Sequence, residues 1–223
     1  MSNVIKQLKR PFPADEINWR VQSCGISNGR PWAMVLAYID ARAVMDRLDK
    51  VVGPFNWQDE INSLENGKTF CKLSVRINDE WITKTGVAGE TNIEAAKGGA
   101  SDALKRAAVK FGIARYLYQL DEDFADCTQE KKRGDKWHKA KTKSNDYIYW
   151  KEPQLPGWAL PGDQQDKQKL LDQVRELFQG KNSKIAQGAA TDELKSEGLG
   201  ADLSKIPELP ADKLQNIINE VNK

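Results

Sequence analysis

Apolar and polar side chains alternate in short runs over the first 90 residues, a pattern typical of β-strands. The clearest case is Thr69–Ile77, where Cys71, Leu73, Val75 and Ile77 alternate with polar or basic neighbours. Asn66-Gly67 before this strand predicts a tight hairpin. Asn78-Asp79 after it predicts a second tight turn. The strands predicted in this way are 16–23 and 31–39, joined by a turn-like stretch at 25–29, and then 56–64, 69–77 and 80–87.

Two helices interrupt and follow these strands. Asp40 is a plausible N-cap for a helix that continues to Val52, where Gly53-Pro54 ends it. A longer helix is predicted over Ile93–Phe111, with Gly112 after it. At 100° per residue its apolar arc and its polar arc lie on opposite sides. The apolar arc contains Ala100, Ala103, Leu104, Ala107 and Phe111, and the opposite arc contains Asp102, Lys105, Arg106 and Lys110, with Lys97 near the margin.

The order of elements is β-β-α-β-β-β-α, which predicts an α+β fold with an antiparallel meander backed by helices. A segment with three prolines and two glycines, Lys151–Asp166, reads as a linker. After it, leucines at helical spacing predict a helix up to Phe178, a second helix is expected from Thr191, and a third begins at Pro210. We therefore expect a domain at 1–150, a linker at 151–166 and a small helical unit at 167–223.

Composition excludes several classes of protein. No apolar run is long enough for a membrane span or a secretory signal, which favours a cytoplasmic protein. Three scattered cysteines and one histidine, His138, leave no pattern for a zinc site or a histidine-dependent triad. No glycine-rich phosphate loop is present. We expect no cofactor, no metal site and no catalytic residue.

Charge is distributed unevenly along the chain. The net charge is only +2, but residues 1–150 carry 24 basic and 20 acidic side chains, whereas 151–223 carry 10 and 12. Basic residues interleaved with aromatic ones are typical of surfaces that bind single-stranded nucleic acid. Candidates outside the long helix are Arg42, Phe55, Lys72, Arg76 and Lys84, which could line one groove for phosphates. An equally good interpretation is a solvated surface, in which Arg106 pairs with Asp102 one turn earlier.

The stretch Thr128–Lys143 contains seven basic residues, including Lys131, Lys132 and Arg133. Its low apolar content predicts a mobile loop, which either contacts DNA or only increases solubility. The densest acidic group is Asp121-Glu122-Asp123 with Asp126. A metal-dependent nuclease would need such carboxylates to converge on one ion.

Four strings of residues stand out, namely YIDAR at 38–42, VVGPFNW at 51–57, EAAK at 94–97 and SDALKRAAVKFG at 101–112. Together they resemble the Rad-fifty-two family of single-strand annealing proteins, in its bacteriophage Sak-type and bacterial DdrA-type branch. The string at 101–112 is the most specific, and the others are weaker. The resemblance covers roughly residues 11–125.

This resemblance implies an ATP-independent protein that binds single-stranded DNA and anneals complementary strands in recombination and repair. It also implies a homo-oligomer, a ring or a helical arc, with DNA in a basic groove. The family's phosphate-contacting residues fall on Arg42 and on Lys105-Arg106. A further basic position of the family falls on Val109, and Lys110 is the nearest substitute.

Further expectations concern the origin of the protein, the role of its C-terminal helices and two alternative functions. The resemblance suggests a phage-encoded protein acting in the bacterial cytoplasm. The helical tail is expected to recruit a host single-strand-binding protein or a companion exonuclease. Two other functions remain open from the sequence, a metal-dependent nuclease of the same pathway and a scaffold module that binds no DNA.

Overall fold

The computed structural model describes residues 3–63, 68–89, 95–120, 123–132, 134 and 136–222; for 95–97 and 123 it describes the backbone alone. The chain divides into two compact units, residues 1–155 and residues 156–223. The architecture is α+β, as predicted, with antiparallel strands, covering helices and a helical C-terminal unit. In the first unit the elements are α1 Asn3–Leu8, β1 Asn18–Ser27, β2 Arg30–Tyr38, α2 Ala41–Val52, β3 Trp57–Ser63, β4 Thr69–Ile77, β5 Glu80–Ala88, α3 Ala95–Phe111, β6 Asp123–Ala125, β7 Cys127–Thr128, β8 Trp137–Lys141 and β9 Tyr147–Lys151.

The first sheet has the strand order β1-β2-β6. Its hairpin turns on two residues, Asn28 and Gly29, which both have positive φ and so match the twist of the flanking strands. The prediction of a longer turn from Gly25 is wrong, because Gly25 is paired with Trp32 inside the ladder. A Cβ at Gly25 would lie 3.0 Å from the Trp32 ring, so glycine makes room for the indole within the strand.

The second sheet is the predicted meander, β3-β4-β5. The turn between β4 and β5 is at Asn78 and Asp79, both with positive φ. Side chains alternate along β4, so that Cys71, Leu73 and Val75 are fully buried while the residues between them are exposed or half-buried. The two faces of this sheet therefore differ, with helices on one and solvent on the other. The predicted turn at Asn66-Gly67 lies outside the described residues.

Helix α3 packs on the buried face of this sheet at very short range. A Cβ at Gly86 in β5 would lie 2.1 Å from the carbonyl oxygen of Ala103 and 2.4 Å from the nitrogen of Ala107. A Cβ at Gly99 would lie 2.7 Å from the hydroxyl oxygen of Thr69. Only glycine at these positions permits such contact between the helix backbone and the strands.

Helix α2 completes the cover of this sheet. The side chain of Asp40 accepts a hydrogen bond of 2.8 Å from the backbone N–H of Ala43, which confirms the predicted N-cap. Gly53 follows the helix with φ of 89°. Ala43, Val44 and Leu48 join the core that α3 and β4 form.

Arg47 of α2 holds the N-terminal segment against the fold. Its guanidinium donates hydrogen bonds to four backbone carbonyls, of Gln7, Leu8, Arg10 and Pro11, at 2.5–3.4 Å. It also lies 3.8 Å from the centroid of the Phe12 ring. Burial lowers the pKa of Arg47 from its ordinary value. One half-buried side chain thus joins helix α1 and the segment after it to helix α2.

The third sheet, β7-β9-β8, overturns part of the sequence prediction. Residues 137–141 form a strand and not a mobile loop. Their neighbour β9 supplies the buried side chains Ile148 and Trp150, which pack with Ala33 and Val35 of the first sheet. The apolar partners of the basic segment lie on other strands, which is why its own composition was misleading.

The second unit is a bundle of three helices, α4 Gly162–Gln179, α5 Ser183–Ser196 and α6 Ala211–Val221. Helix α4 begins inside the segment predicted as a linker, since residues 162–166 are helical. Helix α5 begins eight residues before the predicted Thr191. The buried residues in the first part of α5 include Ala186 and Ala190, whose small side chains give only a weak helical pattern of hydrophobicity. The predicted start of this helix is therefore too late in the chain. Pro210 precedes α6, and Leu214, Ile217, Ile218 and Val221 are buried as predicted.

Candidate nucleic-acid interface

The exposed arc of α3 carries the strongest candidates of the sequence analysis. The Nε of Arg106 lies 2.8 Å from the Oδ2 of Asp102, and their side chains are 53% and 34% exposed. The hydrogen bond to Asp102 raises the pKa of Arg106, and the charge of Asp102 adds to the shift. Asp102 restrains the guanidinium through Nε, and among the described residues no other hydrogen bond of this guanidinium is found. The ion pair expected from the four-residue spacing is thus present.

Lys105 and Lys110 are oriented by neighbouring strands. The Nζ of Lys105 lies 5.5 Å from the ring centroid of Tyr38, at the end of β2. The Nζ of Lys110 donates a hydrogen bond to the backbone carbonyl oxygen of Thr85 in β5. An ammonium group has three N–H donors, so the remaining donors of Lys110 are available to a ligand. The cations of α3 are therefore held in place by the sheets beneath them.

Arg42 lies in the first turn of α2 and is exposed. Tyr38, whose ring lies under Lys105, precedes Arg42 by four residues, and α2 packs against α3. Across the described ranges, no hydrogen bond or ion pair of the Arg42 side chain is found. Arg42 is thus an exposed cation on a helix that packs against α3, where Lys105 is half-buried and Arg106 is exposed.

Phe55 and Trp57 follow the end of α2 and differ in environment. Phe55 is 91% exposed, the highest value among the large apolar side chains described. Trp57 is half-buried, packs against the main core and donates a hydrogen bond of 2.6 Å from Nε1 to Asp49. The interpretation of Trp57 as a core residue is supported, whereas the Phe55 ring is available for stacking on a base.

The basic residues of the meander do not share one surface. Lys72 pairs with Thr85 and Arg76 with Trp81, which places both side chains on the face away from the helices. Lys84 pairs with Leu73 and so belongs to the helix-covered side. Lys72 and Arg76 form ion pairs with Glu60 and Asp79, at 3.2 and 3.0 Å. The structure does not bring Lys72 and Arg76 to the exposed arc of α3, and a role for them in DNA binding stays a prediction.

The remaining candidates lie before β8 or outside the described part. Lys131 and Lys132 are exposed, and Lys132 lies 3.4 Å from Glu130. The side chain of Lys97 and residue Arg133 lie outside what the structure describes. Of the acidic group, Asp121, Glu122 and the side chain of Asp123 also lie outside it. Among the described residues, no group of three His, Cys, Asp or Glu side chains has the arrangement of a metal site.

Sequence reasoning missed the strands β8 and β9. The signal was present, since Tyr147–Lys151 alternates exposed and buried positions and follows a turn in which Asn145 has a φ of 74°. Lys139 and Lys141 belong to this sheet and lie beside Tyr147. No helix in the described residues is both long and apolar enough to cross a bilayer.

Comparisons with known proteins identify a family and relatives of this chain. A family model described as "Rad52/22 family double-strand break repair protein" matches residues 1–136. Two relatives bear the name "Single-stranded DNA-binding protein DdrA". The one from Deinococcus radiodurans is 37% identical over 163 residues, which are 72% of this chain and 69% of that protein. The one from Deinococcus deserti is 36% identical over 163 residues, 72% of each chain.

No solved structure matches the chain. The family match includes both helices that carry Arg42, Lys105 and Arg106, together with the meander on which they pack. It ends at residue 136, just before β8. The chain belongs to the Rad52/22 family of double-strand break repair proteins.

Proposed function

We propose that this protein binds single-stranded DNA without regard to sequence and anneals complementary strands during double-strand break repair. The observation that carries the proposal is the set of exposed or half-buried cations on α3 and α2, two helices that share one core with the second sheet. Family membership and the names of the two Deinococcus relatives support the same ligand. Phosphate contact by Arg42, Lys105, Arg106 and Lys110 is part of the proposal.

The proposed mechanism is electrostatic. Two complementary strands repel each other through their phosphates, and fixed cations reduce that repulsion and release counterions. Contacts to phosphate leave the base edges free, so that a second strand can pair with them. Base pairing supplies the free energy of annealing. The proposal therefore includes no ATP and no catalytic step.

Annealing requires a long strand to be held, whereas the exposed arc of one α3 helix carries only a few cations. We therefore include in the proposal that copies of the protein assemble as a ring or a helical arc, with their α3 cations along one path. We further propose that the C-terminal bundle, residues 156–223, recruits a partner such as a single-strand-binding protein or an exonuclease.

A direct test uses two complementary labelled oligonucleotides with EDTA present and no nucleotide. The expected product is duplex, formed faster than without protein, with both strands at full length. Shortened strands that appear only when Mg²⁺ replaces EDTA would indicate a nuclease. Absence of any binding at low salt would indicate a scaffold and refute the proposal. Electron micrographs with and without single-stranded DNA test the proposed assembly separately.

A further inference from the structure

The outer face of the third sheet combines aromatic rings with lysines. In antiparallel pairs, directly opposed residues lie on the same face. Trp137 is opposite Lys151, Lys139 is opposite Tyr149, and Lys141 is opposite Tyr147. We call these six residues the lysine–tyrosine face. All three lysines are exposed, Tyr147 is 49% exposed, and Trp137 and Tyr149 are half-buried.

The opposite face of the same sheet is built into the core. Ile148 and Trp150 are buried there, and the His138 ring stacks on Trp150 with 4.6 Å between centroids. The Nε2 of His138 lies 2.7 Å from a carboxylate oxygen of Glu152. Packing and hydrogen bonds on this side hold the strands in place. The lysine–tyrosine face is therefore a rigid surface whose own side chains are absent from the apolar core clusters of the described chain.

The charge of this face is not neutralised. Several other basic side chains of the first unit have acidic partners, for example Lys72 with Glu60 and Arg106 with Asp102. Lys139, Lys141 and Lys151 form no ion pair with any described carboxylate. Three like charges on one small sheet repel one another, which lowers stability unless an anion is bound.

Tyr147 brings two of these lysines together. The Nζ of Lys139 lies 3.6 Å from the Tyr147 ring centroid, and the Nζ of Lys141 lies 5.8 Å from it. The negative face of the ring offsets part of their repulsion without neutralising either charge. Lys139 and Lys141 are two residues apart on a strand, a spacing of about 6.6 Å.

We infer that the lysine–tyrosine face is a second contact surface for single-stranded DNA, separate from the cations of α3. Lys139, Lys141 and Lys151 bind phosphates, and the rings of Tyr147 and Trp137 stack on unpaired bases. Aromatic rings with interspersed cations are the features by which sheets bind single strands irrespective of sequence. The face lies beyond residue 136, where the family match ends. The inference rests on the proposed function, because it assumes the same ligand.

The test compares variants of the full chain by fluorescence anisotropy with labelled oligothymidine over a range of salt. Lys139→Gln with Lys141→Gln should reduce the log–log salt slope by about 1.4, at roughly 0.7 per phosphate contact. Lys184→Gln with Lys195→Gln, two exposed lysines of the C-terminal bundle, is the matched control and should leave the slope unchanged. Melting temperatures of all variants show whether the fold is kept.

A second pair of variants isolates stacking from charge. Tyr147→Ala should weaken binding to oligothymidine about fivefold or more, whereas Tyr147→Phe should bind like the parent. On an abasic strand of equal length Tyr147→Ala and the parent should bind equally, because no base is present to stack. Weaker binding of Tyr147→Ala to the abasic strand as well would refute stacking.

The outcomes distinguish this inference from the proposed function. If the parent protein binds no single-stranded DNA, both are wrong. If the parent binds and Lys105→Ala with Arg106→Ala reduces the slope, but the Lys139/Lys141 and Tyr147 variants match the parent, only the second surface is wrong. If the matched control lost as much of the salt slope, the net charge of the protein and not the lysine–tyrosine face would determine the salt dependence of binding.

Discussion

Replacing both Lys105 and Arg106 with alanine tests the α3 interface while leaving the fold nearly unchanged. Neither side chain belongs to the main core. The change removes the half-exposed ion pair of Arg106 with Asp102, which contributes less than about 0.5 kcal/mol. Alanine has the best helix propensity and offsets part of this loss. The melting temperature should therefore shift by less than about 2 °C.

The effect on DNA binding should be much larger. Each phosphate contact adds about 0.7 to the slope of log affinity against log salt. At 0.1 M salt one such contact corresponds to roughly a fivefold gain in affinity, so losing two should weaken binding about 25-fold. The slope should fall by about 1.4. Fluorescence anisotropy with labelled oligothymidine at several salt concentrations measures both quantities.

Asp102→Asn provides a matched variant with the opposite expectation. It removes the carboxylate that lies 2.8 Å from Arg106 and keeps a side chain of the same size. If Arg106 contacts phosphate, its release should raise the affinity a few-fold at low salt. An unchanged slope in the double alanine variant, together with unchanged affinity in Asp102→Asn, would show that these cations do not bind DNA.

Three further predictions concern the fold. Arg47→Met should lower the free energy of unfolding, measured by urea titration, by about 2 kcal/mol or more, because backbone carbonyls that now accept from Arg47 lose that donor. Arg47→Lys should also be destabilised, since one ammonium group cannot reach the carbonyls that the guanidinium reaches. Burial raises the pKa of the Cys71 thiol from 9.0 to about 11. The contribution of this neutral thiol to the free energy of unfolding is therefore lost as pH rises from 9.0 through about 11. At pH 8, buried Cys71 should react with a thiol reagent more slowly than half-buried Cys24. Faster labelling of Cys71 would contradict its burial. Truncation after Leu155, which packs against the main core, should leave a folded protein that binds DNA with the same salt dependence as the full chain. Loss of cooperative melting would show that the first unit does not fold independently.

Elements with strong local signals could be predicted from the sequence. Asp40 and Gly53 bound α2, the tight turn at Asn78 joins β4 to β5, and the apolar period of α3 gives its buried face. The helical wheel also predicts the exposed arc with Lys105 and Arg106. These features depend on residues close together in the chain.

Features that depend on distant pairing could not be predicted. Strand β8 contains mostly polar and basic residues, and its stability comes from β9 and from the first sheet. The sequence also does not show that Lys72 and Arg76 lie on the face of the sheet away from the helices, because the register of β4 against β5 decides which face each side chain occupies. That register places Lys84 beside Leu73 and away from Lys72.

The contact of Gly86 with the backbone of α3 has a consequence for many copies acting together. With no side chain between them, the backbones of strand β5 and helix α3 are in direct contact. The distance between α3 and the sheet is therefore fixed at this point. Lys105 and Arg106 belong to the same stretch of α3, so their backbone positions are fixed to the same degree. In the proposed assembly, a small displacement repeated in every subunit would add up along a bound strand. In that assembly, the close packing at Gly86 would keep the cations of every subunit at the same position relative to the bound strand.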